Sequence, residues 1–185
     1  MNDSKFKVLL YSDGSHQAFS AAVYTATLLQ KMPNMHLTIA RLQDNEEDNN
    51  LPKYNWIKSW PDTPTSEWIK RVLDESHTKT DGPYKEILFK TVEIFSNEKF
   101  NVEYQSLNAK HNSISDTAKV IINHATNNSY KLIVMGTRGL STLNGLIFGS
   151  LAHHVLDDSP IPVLLIKKLP QTFIDNYLSQ PSTQI

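Results

Sequence analysis

The sequence predicts an α/β fold: an open five-stranded parallel sheet with helices on both faces. Three observations lead there. Short runs rich in Val, Ile and Leu alternate along the chain with segments whose apolar residues recur at helical spacing, and strands separated by helices become parallel neighbours joined by right-handed crossovers. Four of the six glycines fall between Gly136 and Gly149, directly after one such run and before one such helix; open α/β sheets bind ligands beyond the carboxyl ends of their strands, in loops so placed. The 185 residues hold one domain, with ~35 to spare over the ~150 of a typical one.

Phe6 to Tyr11 is an apolar run that ends in Ser12-Asp13-Gly14-Ser15, a buried strand entering a turn. From Ser15 to Lys31, the residues Ala18, Ala22, Thr25, Ala26 and Leu29 make a narrow stripe of small side chains at helical spacing. Such a stripe lets a helix lie close to a sheet, and Met32-Pro33-Asn34 ends it. Met35 to Leu42 predicts the second strand. Asp44 to Asn50 then holds four acids and three asparagines with no apolar residue, a solvated loop. Trp56, Trp60 and Trp68 are all the tryptophans of the chain, and they share the next stretch with Pro52, Pro61 and Pro64. Residues 44–82 are therefore expected as an insertion, its aromatics forming either a small satellite core or a lid or partner surface.

Asp81-Gly82-Pro83 starts a helix, with proline tolerated in the first turn, and Tyr84, Ile87, Leu88, Thr91, Val92 and Phe95 give it an amphipathic stripe. Asn101 to Leu107 alternates and predicts the third strand. Ser113 followed by Asp116 resembles a capping box, and Ile114, Ala118, Ile121, Ile122 and Ala125 continue at helical period. Lys131 to Met135 is a buried strand broken by Gly136. Phe148, Leu151, Ala152, Val155 and Leu156 form the last amphipathic stripe, and Ile161 to Ile166 the last strand. The domain so predicted covers 1–167. Residues 168–185 form a polar tail without a strong period.

Composition removes several function classes. Lys and Arg number 18 against 19 Asp and Glu, so the basic excess expected of a protein that lives on nucleic acid or an anionic membrane is missing. No apolar stretch approaches the ~20 residues of a membrane span. There is no cysteine, which excludes disulfides, thiolate catalysis and Cys-ligated metals. With a first apolar run too short for a signal-peptide core, a reducing, cytoplasmic home is expected. His153 and His154 are sequence neighbours and cannot face one point on a helix, so they are expected as exposed or capping side chains, not metal ligands.

The stretch Gly136-Thr137-Arg138-Gly139-Leu140-Ser141-Thr142-Leu143-Asn144-Gly145-Leu146-Ile147-Phe148-Gly149-Ser150 follows a strand and opens a helix. Glycine lets backbone N–H groups approach a ligand closely, and a helix N-terminus adds unpaired donors and the positive end of a dipole. A phosphate can be held in that way without a lysine; alternatively the glycines serve only turns that need positive φ. No Gly-Lys-Ser/Thr closes the loop, and G-x-G-x-x-G is absent, so neither a P-loop nor a nicotinamide dehydrogenase is expected.

The spacing G-x2-G-x9-G-S/T, carried by Gly136, Gly139, Gly149 and Ser150, resembles the ATP-binding signature of the universal stress protein family. The flanks resemble it too: Val8-Leu9-Leu10-Tyr11-Ser12-Asp13-Gly14-Ser15, Leu132 to Gly139, and Gly149 through Ser159-Pro160 to Ile166. The resemblance covers about residues 1–43 and 84–167. It implies the Rossmann-like, adenine nucleotide α-hydrolase-like form of the sheet and ATP as ligand, with Mg2+ held chiefly by the phosphates.

By the same resemblance, Asp13 accepts hydrogen bonds from the ribose hydroxyls, a role compatible with the Asx turn or cap that Asp favours there in any case. Leu42 offers backbone groups and an apolar wall to the adenine, with Ser12 on the same wall. Met135 lines the same site, Gly136, Arg138 and Gly139 follow the ribose and phosphates, and Arg138 is equally readable as a solvated loop charge. Gly149, Ser150 and Leu151 cap the phosphates. A glycine common in the family after the third strand is missing from Asn108-Ala109-Lys110-His111-Asn112. The family's last strand commonly pairs across a homodimer, and Pro162 to Ile166 is an apolar, charge-free edge suited to that.

The function these residues imply is a dimeric, nucleotide-responsive stress protein. No activating lysine or general base flanks the loop, so hydrolysis is expected to be slow or absent. A second reading is an interaction module working through 44–82, with nucleotide incidental. A third, a substrate-adenylating enzyme, lacks its Ser-Gly-Gly-x-Asp-Ser loop, since Ser12-Asp13-Gly14-Ser15-His16 stands there instead.

Overall fold

The computed structural model describes residues 5–42, 91, 94–95, 101–108, 113–137 and 148–179. Within them run β1 (Phe6–Tyr11), α1 (His16–Lys31), β2 (Met35–Leu42), β3 (Val102–Leu107), α2 (Ile114–Asn127), β4 (Leu132–Gly136), α3 (Ser150–Asp158), β5 (Val163–Ile166) and α4 (Gln171–Ser179). Thr91 and Ile94 stand at helical positions between β2 and β3. The rest of the helix expected from Asp81 onward, the 44–82 insertion, residues 109–112, and Arg138 with Gly139 lie outside the described residues.

The five strands form one parallel sheet in the order β3-β2-β1-β4-β5. The central strands are covered on both faces, which is why they read as unbroken apolar runs. Leu9 and Tyr11 of β1 and Ile133 and Met135 of β4 join Ala118, Ile121, Ala125, Ala152 and Val155 of α2 and α3 on one face. Val8, Leu10 and Val134 point the other way, to Ala21, Ala22 and Ala26 of α1 and to Phe95. Burying one such Leu or Ile contributes about 1.5–3 kcal/mol. The alanines of α1 bring its backbone close to the sheet, as the stripe of small residues predicts. Ser15 and Ser113 cap α1 and α2: their Oγ atoms accept from the N–H of Ala18 at 3.1 Å and of Asp116 at 3.0 Å. A cap of this kind contributes ~1 kcal/mol. Beneath the sheet's central strands, the buried Tyr130 hydroxyl, just ahead of β4, donates to Thr38 Oγ1 of β2 at 2.8 Å.

Three local readings change. Gly136 does not break β4 but is its last residue, in register with Ile166. β5 begins at Val163, not Ile161, because Pro162 has no N–H and Ser159 Oγ holds Ile161 in a turn through both its N–H and its carbonyl. Finally, the segment expected to be an aperiodic polar tail carries α4. Its buried side chain, Ile174, packs against Phe19 and Val23 of α1. Phe173, Ile174 and Tyr177 recur at helical spacing along it, a stripe too short to stand out in a polar stretch.

Candidate functional site

The order β3-β2-β1-β4-β5 puts the point of reversal between β1 and β4. From there the chain leaves β1 into α1 on one face and β4 toward α3 on the other. Adjacent strands whose connections part to opposite faces open a crevice beyond their carboxyl ends, the place where such sheets take ligands.

One wall of the crevice is the turn after β1. Ser12 N–H extends the ladder by donating to the Ala40 carbonyl at 2.9 Å. Its hydroxyl is buried and has no hydrogen-bond partner among the described residues, a costly condition that a bound polar group would relieve. Asp13 Oδ1 accepts from the Ser15 N–H at 3.0 Å. Burial pushes the Asp13 carboxyl above its ordinary value, while hydrogen bonds from Ser15 and from its own backbone pull the other way. Gly14 has φ 74°, a left-handed conformation that favours glycine. His16, the first residue of α1, is buried.

The other wall is built from β4 and α3. Gly136 lies so close to the first turn of α1 that a Cβ there would meet the Gln17 carbonyl carbon and Cβ at 2.7 Å and the Ala18 nitrogen at 2.8 Å. Thr137 N–H donates to the Ile166 carbonyl at 2.8 Å, and the Thr137 carbonyl accepts from the Gly149 N–H at 2.7 Å. These two bonds pin the base of the glycine loop to β5 and to the start of α3. Gly149 is the N-cap of α3 and has no side chain to cap it, and the first turn contains no acid. Among the described residues, the leading N–H groups of α3 and its positive dipole end therefore have no side-chain acceptor.

Of the residues the sequence singles out, Ser12 and Asp13 sit at the end of β1, Met135 and Gly136 at the end of the adjacent β4, and Gly149, Ser150 and Leu151 at the helix tied to that end. Leu42 ends β2, one strand further over, in register with Leu107. The Met135 side chain belongs to the core, so only its backbone faces this edge. Arg138 and Gly139 are outside the described residues. Thr137 was not singled out, and its type carries no signal because it acts through backbone groups. His153 and His154 are exposed, and His153 Nδ1 lies 3.2 Å from Asp157 Oδ2. Among the described residues no three His, Asp or Glu side chains gather to hold a metal, and no helix is long and apolar enough to cross a membrane.

Residues 109–167 match the family model described as the universal stress protein family. The universal stress protein YxiE of Bacillus subtilis is 40% identical over 52 residues, which are 28% of this chain and 35% of that protein. The stress response protein NhaX of the same organism is 27% identical over 169 residues, 87% of this chain and 97% of that one. The chain thus spans about a third of YxiE and nearly all of NhaX in these matches. Among solved structures, a universal stress protein in complex with cAMP superposes with a TM-score of 0.55 at 19% identity, covering 88% of this chain and 97% of that one. At that identity the likeness is one of fold. The sheet with its point of reversal, the matched segment through β4, α3 and β5, and the named relatives agree in likeness to the universal stress protein family, whose model matches residues 109–167.

Proposed function

We propose that the chain binds an adenine nucleotide, ATP, across the crevice between β1 and β4, and acts as a cytoplasmic, nucleotide-responsive regulator in a stress response. The observation that carries this reading is the juxtaposition of two half-sites: a turn offering the Asp13 carboxylate and a Ser12 hydroxyl with no partner among the described residues, and a glycine-capped helix start whose donors have no side-chain acceptor among them. The carboxylate suits ribose hydroxyls, and the helix start suits phosphate. Backbone groups at the ends of β2 and β4, at Leu42 and Met135, would face the base, and Ser150 and Leu151 would lie under the phosphates, with Gly136, Arg138 and Gly139 along the loop. A magnesium ion would be carried by the phosphates. A structural neighbour was solved in complex with cAMP, which supports an adenine ligand in this fold. Hydrolysis is slow or absent in this reading.

The test is to denature freshly purified protein and identify what is released by chromatography and mass. A near-stoichiometric adenine nucleotide is expected. A protein that is empty and also fails to bind added ATP-Mg overturns the reading.

The reading extends to assembly. β5 is an edge strand of four apolar residues, Val163 to Ile166, of which the first three are only partly buried. An apolar edge of that kind needs a cover, and a second copy pairing along Pro162–Ile166 supplies one. Light scattering at high concentration should give the mass of a dimer; a monomer would count against the pairing.

A further inference from the structure

We propose that the segment from Ile166 to Tyr177 is a strap that sets the spacing between the two walls of the crevice and thereby tunes nucleotide binding; the tuning rests on the reading of the crevice given above. The segment touches both walls. At its start, the Ile166 carbonyl accepts the Thr137 N–H at 2.8 Å, and Thr137 in turn holds Gly149. Three residues on, Leu169 N–H donates to Ser20 Oγ at 3.1 Å, and Ser20 is fully buried. The Pro170 carbonyl then accepts from Phe173 and Ile174 and launches α4. Ile174, 1% exposed, packs with Phe19 and Val23, with Leu169, Ile94 and Tyr177 around them. The Phe173 ring stacks on that of Tyr24, with centroids 6.4 Å apart.

These contacts fall on Phe19, Ser20, Val23 and Tyr24, a different face of α1 from the one whose alanines meet the sheet. The link to the site is direct. Phe19 N–H donates to the Ser15 carbonyl at 2.9 Å, and Ser15 N–H holds the Asp13 carboxylate. A knob at Ile174 therefore bears on the residue that closes the first turn of α1, while the same segment anchors the base of the opposite loop. α4 is a short helix, and Ile174 is the one fully buried side chain among those described in it, so it can undock at a cost well below global unfolding. Coupling between strap docking and ligand binding is reciprocal by linkage: whatever loosens the strap weakens the ligand, and the ligand tightens the strap.

The test uses the full chain as wild type, Ile174→Ala and Ile174→Val, followed by hydrogen exchange with mass spectrometry and by ATP-Mg titration. In the empty protein, Ile174→Ala should speed exchange at Ser15–Phe19 and at Thr137 and Gly149 while leaving β2 unchanged, and Ile174→Val should stay close to wild type. ATP-Mg affinity should fall about 5- to 10-fold in the alanine variant, the lower part of the usual range for coupled sites. Bound nucleotide should slow exchange over 169–177 in the wild type. Faster exchange confined to α4, or spread equally through β2, overturns the strap; so does an affinity equal in all three proteins. A wild type that takes up no nucleotide removes the nucleotide reading and its tuning together, and exchange in the empty protein tells that result apart from a strap that does not hold the walls.

Discussion

Replacing Gly136 by alanine is expected to lower the melting temperature by about 6–12 °C. The added Cβ would stand 2.7–2.8 Å from three atoms of Gln17 and Ala18, two of them backbone. A flexible side chain could turn away, but a helix backbone cannot, so either α1 lifts from β4 or the strand end shifts. Overpacking of a core costs about 1–3 kcal/mol. With backbone on the receiving side the upper figure applies, and in a domain of this size each kcal/mol moves the midpoint by about 2–4 °C. Thermal unfolding by circular dichroism checks it, and an unchanged midpoint would show that α1 yields freely. Because lifting α1 also moves the Asp13–Ser15 turn, nucleotide affinity should fall with stability. Gly136 thus has a packing reason to be glycine, separate from any contact with a ligand.

Asp13→Asn should do the opposite to stability. Burial holds the Asp13 carboxyl above its ordinary value near 3.8, so the folded protein takes up a proton at higher pH than the unfolded chain. In that window stability rises as pH falls, and at pH above the folded value the buried charge destabilises the fold in full. Asparagine keeps the shape and can still accept from the Ser15 N–H, but carries no charge. The variant should therefore melt above wild type at neutral pH, with the difference shrinking as pH drops toward 4. Nucleotide affinity should move the other way, by on the order of tenfold or more, since hydrogen bonds to a charged group contribute about 1.5–3 kcal/mol. Acidification should weaken ATP binding by the wild type and leave the variant flat. Paired melting curves and titrations across pH test this, and a variant that gains no stability at neutral pH would show that the buried charge is already well compensated.

Much of this architecture is legible before any coordinates. The strands of the sheet announce themselves because burial on both faces removes polar residues, as in Val8-Leu9-Leu10 and Leu132-Ile133-Val134. The cap Ser113 is visible because its chemistry is local, whereas the cap of α1 is Ser15 and not Asp13, two residues earlier. What escapes is what depends on distant partners. α4 is hard to see because its apolar stripe of Phe173, Ile174 and Tyr177 is short, and its anchor, Ile174, answers to Phe19 across more than 150 positions of sequence. The end of β4 moves by one residue because Gly136 keeps its pairing with Ile166, which no local propensity encodes. In the candidate site, the turn in which Asp13 accepts from the Ser15 N–H could be anticipated from residue type. The backbone bond from Gly149 to Thr137 could not, because any residue has a carbonyl to offer.

β1 lies at the middle of the sheet, yet it is the first strand to be made. One of its edges is paired almost at once, by β2 in the register Leu10↔Ile39. The other waits for β4, in the register Leu10↔Val134. A ribosome adding about 5–20 residues per second reaches Val134 roughly 6 to 25 s after Leu10. Through that interval a strand whose Val8, Leu9 and Leu10 end up fully buried is exposed along one side. A weakened β4 would therefore be felt first in the yield of soluble nascent chain, before any measurement on the finished molecule.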